Sequence, residues 1–301
     1  MTDIAWPIKS HEIQNHHVDS TMWNSIKFRD SDIVIATYPK SGTTWTQQIV
    51  AQLLFHGAEE IKLTNHSPWI EARVANSLRA DRIEAQTHRR FFKTHLPIDA
   101  LCFSPKAKYI YVGRDGRDVA WSLFNHYANA TDDYYKLFND TPGRVGPPLE
   151  RPTGDPHDFY RHWFQDNSYP AISFWKTVGS WWNVRALPNV KLFHFNDLKA
   201  DLAGSVLEIA AFLDIPVRSR GFSKIVEHCS FAYMKAHAEM SAPASGALWK
   251  DGGKTFINKG TNGRWRDTLS AAEIAAYDAK ALAELGPACA AWLANGRRAD
   301  L

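Results

Sequence analysis

The chain has 301 residues, 45% of them apolar and 22% charged, with a formal charge of +3. That suffices for a large core in one domain, and the slight basic excess suits a small anionic ligand rather than a nucleic-acid surface. Cys102, Cys229 and Cys289 lie far apart with no CxxC pair, which argues against a disulfide framework or a zinc site and fits a reducing cytoplasm.

The first residues, MTDIAWPIKSHEIQNHHVD, are polar and do not read as a signal peptide. No apolar run approaches the ~20 residues of a membrane helix. Asp32–Pro39, DIVIATYP, is a β-branched run stopped by proline and predicts a buried strand. Thr44–His56 sets Trp45, Ile49 and Leu53 on one helical face, with Gly57 where a C-cap is expected. The stretch TYPKSGTTW, Thr37–Trp45, therefore joins a strand to a helix and offers free N–H groups and the positive helix end to an anion. Loops of nucleoside-triphosphate enzymes end in G-K-S/T, the hydroxyl binding magnesium. Here Lys40 comes first, then Ser41 and Gly42, and Thr43, Thr44 and Trp45 open the helix. A lysine on the strand side reaches the far side of a bound phosphate, the threonines add hydroxyl donors, and Trp45 offers a ring to a base. Such a loop suits a nucleotide 5′-phosphate carrying a transferable group, with no metal.

Further along, RFFKTHLP, Arg90–Pro97, ends a β-rich stretch that carries Lys93 and His95. Ala107–Arg114, AKYIYVGR, predicts a strand and RDVAWSLFNHYA the helix after it. Arg114 at the strand end and Ser122 in the helix suit a second phosphate; Arg117 and Asp118 read as a helix-start ion pair. Asp140–Pro156 and Ser241–Gly253 are long loops rich in Pro, Gly and small residues, of the kind that form lids. The tryptophans from Trp163 to Trp182 read mostly as core. The clusters His16–Asp19 and Asp155–His162 lack the spacing of a metal site. Asn189–Leu198 predicts a third strand, AGSVLEIAAFLDI a helix, and a final helix over about 270–294 starts at Ser270. Strands alternating with helices imply an α/β fold, a mostly parallel sheet covered on both faces.

TYPKSGTTW resembles the 5′-phosphosulfate loop of the cytosolic sulfotransferases, which move a sulfuryl group from 3′-phosphoadenosine 5′-phosphosulfate (PAPS) to an alcohol, phenol or amine. The likeness runs from about Phe28 to Asp267 with the motifs in the family's order, and implies a single P-loop-like domain over residues 1–301. It implies that Lys40, Ser41, Gly42, Thr43, Thr44 and Trp45 hold the donor's 5′ side. It gives the 3′-phosphate to Arg114 and Ser122, and implies that Ser122 also touches Lys40. His95 in KTHLP matches the family's base, a role its ordinary pKa suits, and Lys93 matches a lysine near the transferring group. FINKGTNGRWRD resembles F-x-R-K-G-x-x-G-x-W, which assigns Lys259 and Gly260 to the 3′-phosphate. Asn258 stands where arginine is common, a neutral amide for a charged fork, with Arg264 or Lys254 as substitutes. Phe195 replaces a tyrosine near the adenine. In EHCSFAYMK, Cys229 replaces a threonine, and Phe231 and Met234 are adenine-wall candidates.

The expected acceptor is a hydrophobic alcohol or phenol, between Trp69, Phe91, Phe124, Tyr127, Tyr134 and Phe138, with Pro147 and Pro148 in a lid. Neither nucleic acid nor membrane is an expected partner. The family's dimer motif is not recognisable in RWRDTLSAAE, and the oligomeric state stays open. Two other classes also stay open. One is a small-molecule kinase with a divergent loop, although G-K-S/T and a magnesium carboxylate are missing. The other is a non-catalytic binder of adenosine bisphosphate, which would need the loops but not His95 with Lys40.

Overall fold

A computed structural model describes residues 4–74, 83–165 and 172–297. At its centre is a four-stranded parallel sheet in the order β2-β1-β3-β4. The strands are β1 (Ile33–Thr37), β2 (Phe91–Thr94), β3 (Lys108–Gly113) and β4 (Val190–His194). Ile33 is opposite Phe91 on one side and Lys108 on the other, and Gly113 is opposite His194. Every residue of β1 is buried, which explains its continuous apolar run in place of alternation. The α-helices of six residues or more among the described residues are α1 (Thr43–Leu54), α2 (Gly116–Ala128), α3 (Asp132–Asn139), α4 (Pro156–Gln165), α5 (Phe174–Asn183), α6 (Phe195–Ala200), α7 (Leu202–Phe212), α8 (Ser219–His228), α9 (Phe231–Ala236) and α10 (Ala271–Asn295). On one face of the sheet α1, α7 and α8 pack against Ile33, Ile35, Ile110, Val112 and Phe193. On the other, α2, α4, α5 and α10 pack against Val34, Ala36, Tyr109 and Tyr111. Among the described residues no helix is long and apolar enough to cross a membrane.

The strands expected at 32–39 and 107–114 and the helix expected at 44–56 form where the residues predict, and Gly57 takes a left-handed φ of 82° behind α1. The strand expected over 189–198 is shorter. It stops at His194, whose side chain accepts the Asn196 N–H and starts α6, so Phe195 opens a helix. Ser270 caps α10 in a capping box with Glu273, and the helix breaks at Gly286 before Pro287 but continues to Asn295. Arg117 does not pair with Asp118. Its guanidinium grips the N-cap Asp115 at 2.7 Å and Asp278 of α10 at 3.0 Å, while Asp118 accepts the Gly263 N–H at 2.7 Å. The reason is direction: Asp118 faces the late loop and Asp115 lies beside α10. Trp163, Trp175 and Trp181 are buried core, as read; Trp181 Nε1 donates to Leu96 O at 3.0 Å and so seats the turn after His95.

At the C-terminal end of β3 the packing leaves no room. A Cβ on Gly113 would lie 2.3 Å from the Trp292 ring, so β3 and α10 touch through backbone and ring. Gly113→Ala should therefore destabilise the protein by about 1–3 kcal/mol, the range for overpacking. Urea denaturation checks this, and unchanged stability would mean that α10 is not docked there.

Candidate active site

The loop after β1 is shaped by two left-handed residues, Lys40 at φ 67° and Gly42 at φ 111°. A side chain at Gly42 would press on the Phe195 ring, 3.2 Å from its Cβ. Gly42 is also the N-cap of α1 and offers no side-chain cap, so the first N–H groups of that helix remain available to a ligand. Thr43 Oγ1 bonds back to Thr37 Oγ1, tying the helix start to the strand end.

These groups open into a cavity of about 740 Å³ at the C-terminal ends of the strands, where open α/β sheets place their ligands. Lys40, Gly42, Thr43, Thr44, Trp45, Lys93, His95, Arg114, Ser122, Phe195, Phe231, Asn258, Lys259 and Gly260 all line it. Of the residues expected at the site, Ser41 and Cys229 do not. Ser41 is buried behind the loop. Cys229, at the end of α8, is buried in the core on the α1 face of the sheet; only its carbonyl reaches a cavity residue, accepting Trp45 Nε1 at 2.7 Å. Burial pushes the Cys229 thiol well up.

In the donor half, Trp45 meets Phe195 edge-on at 5.4 Å. Arg114 joins two loops: it donates to Lys40 O at 2.8 Å, Asn262 Oδ1 at 2.7 Å and Thr261 O at 3.2 Å, and lies 4.3 Å over Phe195. Burial lowers its pKa to about 10. The late loop carries two orphan donors, Asn258 Nδ2 and Arg264 Nε, buried without a partner on residues that line the cavity. Gly260 has φ 61°, and a Cβ there would lie 2.7 Å from Phe231. Unpaired N–H groups, cations and glycine-only backbone together fit a doubly phosphorylated nucleotide. Arg264 lines the cavity where Asn258 has lost the arginine's charge; Lys254 does not.

In the reacting half, His95 Nδ1 donates to Thr37 O at 2.8 Å, so the neutral ring keeps its lone pair on Nε2. Burial lowers its pKa to about 3, and Lys93 and Lys40 add to this. Behind it the buried Glu71 accepts from His95 N at 2.7 Å, Trp69 Nε1 at 2.6 Å and Trp23 Nε1 at 2.8 Å, although burial pushes its pKa up. Lys93 lies 4.8 Å over Trp69. Lys40 Nζ is 3.3 Å from His126 Nδ1 and 4.7 Å over Phe256. The expected contact with Ser122 is thus replaced by one to His126, a turn further along α2. Burial first, then Arg114 and Lys93, lower the Lys40 pKa to about 7.

In the remaining wall, Trp69, Tyr127, Tyr134 and Phe138 line the cavity as expected. Phe91 does not, because the pleat of β2 turns it to the α1 face. Phe124 packs on Phe159 at 5.9 Å, and Pro147 and Pro148 are exposed outside the cavity. Of the two long loops, Ser241–Gly253 supplies Leu248 and Trp249 to the wall, while Asp140–Pro156 supplies nothing. Glu71, His126, Trp249 and Phe256 were not anticipated, nor was His17, which lies in a cluster read as having no site. His126 had a signal, one helical turn after Ser122; so had Phe256, which opens FINKGTNGRWRD, and Trp249, which lies in the Ser241–Gly253 loop.

A family model for the sulfotransferase domain matches residues 30–285. The glycolipid sulfotransferase of Mycobacterium tuberculosis (strain ATCC 25618 / H37Rv) is 31% identical over 303 residues, covering 93% of each chain. Sulfotransferase 2B1 of Mus musculus is 32% identical over 265 residues, 85% of this chain and 71% of that one. The crystal structure of mouse sulfotransferase SULT7A1 complexed with PAP matches with a TM-score of 0.67 at 24% identity, covering 90% of each chain. Retinol dehydratase in a complex with retinol and PAP matches at 0.67 and 21% identity, covering 88% of this chain and 84% of that one. The chain belongs to the sulfotransferase family, and so is an enzyme of the class whose sulfuryl donor is PAPS.

Four imidazoles, three buried and His126 half-buried, give a stability prediction. His95 is lowered to about 3 and His16 to about 4, and His17 and His126 lie well below their usual value, all chiefly through burial. An unfolded histidine binds its proton near 6.5, so between pH 6.5 and about 3 the unfolded chain holds more protons, and stability falls as pH falls. Urea midpoints should drop steadily through that window; a flat profile would mean that these rings are solvated. For Lys40 the window lies between about 7 and 10.5, and there too the unfolded chain holds more protons, so stability likewise rises with pH.

Proposed function

We propose that the protein transfers a sulfuryl group from PAPS to the hydroxyl of a hydrophobic alcohol or phenol, by in-line displacement. The observation that carries this is the hydrogen bond of His95 Nδ1 to the Thr37 carbonyl, which requires the proton on Nδ1. With Nδ1–H held by Thr37 O, Nε2 is a bare, neutral base in a cavity that also holds the Lys40 ammonium. The donor supplies the activated sulfuryl group. Lys40 offers its charge to the oxygen that leaves with the nucleotide, and Lys93 adds to the positive field; charge placed where charge develops is the main catalytic resource of such transfers. His95 Nε2 accepts the acceptor's proton as the new O–S bond forms.

The residues that bind follow from the same layout. Gly42, Thr43 and Thr44 with the α1 N-terminus hold the 5′-phosphate, while Ser41, buried behind the loop, does not reach it. Arg114, Ser122, Asn258, Lys259 and Gly260, with Arg264, hold the 3′-phosphate. Trp45, Phe195 and Phe231 enclose the base. A glycolipid acceptor is a second reading, favoured by the relative named for one at 31% identity and by the aromatic wall that would accept a lipid chain. Three free cysteines suit a cytoplasmic setting.

His95→Ala and Lys40→Ala should each lower turnover by about 10² or more, the scale of general acid–base catalysis. Near-normal turnover in His95→Ala would remove it as the base. Labelled transfer from PAPS but not from ATP, unchanged by chelator, separates this reading from a kinase; PAP binding with no transfer to any alcohol or phenol would leave a binder. The pH profile gives an independent check. Because Lys40 titrates at about 7 before the donor binds, kcat/KM for PAPS should fall above pH 7, while His95 adds no acid limb down to about pH 3. An acid limb near pH 6.5 with a flat alkaline side would contradict both assignments.

A further inference from the structure

One polar stripe in the cavity has no role in this chemistry. His126 Nδ1 is 3.3 Å from Lys40 Nζ, and its Nε2 is 3.3 Å from the Tyr134 hydroxyl on α3. The same hydroxyl is 3.4 Å from His17 Nε2. An ammonium can only donate, so while Lys40 is charged His126 accepts on Nδ1 and carries its proton on Nε2. That N–H donates to the Tyr134 oxygen, and the Tyr134 O–H donates to His17. Burial and the Lys40 charge hold His126 well below its ordinary pKa, so it stays neutral beside the ammonium. The wall around it is aromatic: Trp249 at 5.0 Å, Tyr127 at 5.2 Å and Phe256 at 6.0 Å.

We propose that His126 is a specificity-determining residue that takes a hydrogen bond from a second hydroxyl of the acceptor, so that the preferred acceptor is a 1,2- or 1,3-diol on an apolar body. This rests on the transfer reading above, in which Lys40 turns to the leaving oxygen. Once Lys40 turns away, the Nδ1 lone pair of His126 has lost its donor, while Nε2 remains tied to Tyr134. His126 is half-buried at the cavity wall, and an acceptor that a bound apolar body shuts off from water without a partner is costly. A hydroxyl satisfies it without adding charge beside Lys40 and Lys93; a second ammonium would be repelled, and a simple alcohol has nothing to offer. The 3.3 Å between His126 and Lys40 keeps the second hydroxyl close to the reacting centre, which is why the two oxygens belong on neighbouring or next-but-one carbons.

The test compares 1,2-decanediol with 1-decanol on the full chain, by equilibrium binding to the PAP-loaded protein and by kcat/KM with PAPS. Both measurements should favour the diol by about 5- to 10-fold, the worth of one neutral hydrogen bond. His126→Phe should bring the ratio near one, and His126→Gln, whose side-chain oxygen still accepts, should keep most of it. His126→Leu replaces the Phe variant if the larger ring fails to fold, with PAP affinity as the check. Equal binding of the two alcohols by the wild type, no measurable binding of either, or an unchanged ratio in His126→Phe overturns the proposal. If the diol binds preferentially through His126 but neither alcohol is sulfated, the transfer reading fails and the diol site stands.

Discussion

A half-buried ammonium at the cavity wall, with no carboxylate beside it among the described residues, is the constraint on which this site turns. Lys40 sits at a left-handed φ of 67° at the end of β1, with a neutral imidazole and an aromatic ring as its recorded neighbours. Isolated buried charge is unfavourable in a low-dielectric interior, and a lysine left there shifts its pKa downward. In the proposed transfer, the anionic donor offsets that cost. Burial chiefly, and then the Lys93 charge, lowers both Lys40 and His95, and Arg114 adds to the effect on Lys40. In the transfer proposed above, these surroundings serve two opposite ends: an ammonium that gains from an incoming anion, and an imidazole kept neutral to act as a base.

The architecture puts these groups together by a simple route. β1 lies between β2 and β3, so the chain leaves the sheet centre in opposite directions, and the three strand ends bring the phosphate loop, KTHLP and Arg114 to one rim. Arg114 then fastens the late loop to the early one through Lys40 O, Thr261 O and Asn262. Asp118 holds the same late loop through the Gly263 N–H. A guanidinium with several donors in a fixed plane suits such a bridge, and it makes the donor half one connected unit.

Much of the fold was legible because it rests on local pattern. Buried parallel strands demand unbroken β-branched and aromatic runs, and amphipathic helices demand a regular apolar spacing; both signals are read from neighbours in the chain. Local rivalry is where that reading failed. The strand expected over 189–198 ends at His194 because one side chain captures an N–H two residues on. Arg117 finds its second partner in α10, 161 residues away, which no spacing rule would reveal.

The amino-acid order alone determined the strand–loop–helix with Lys40 ahead of Gly42, the His95 and Arg114 strand ends, and through them the family. These are contiguous motifs whose chemistry depends on the bond sequence itself. Tertiary packing decided what lies opposite them. It turned Phe91 away from the cavity, gave Cys229 only a carbonyl to contribute, moved the Lys40 contact from Ser122 to His126, and brought His17 and Trp249 into the wall. The physical reason is that a side chain's neighbours across a cavity come from elements far apart in the chain, and their approach is set by how whole helices and loops pack, which no short stretch encodes.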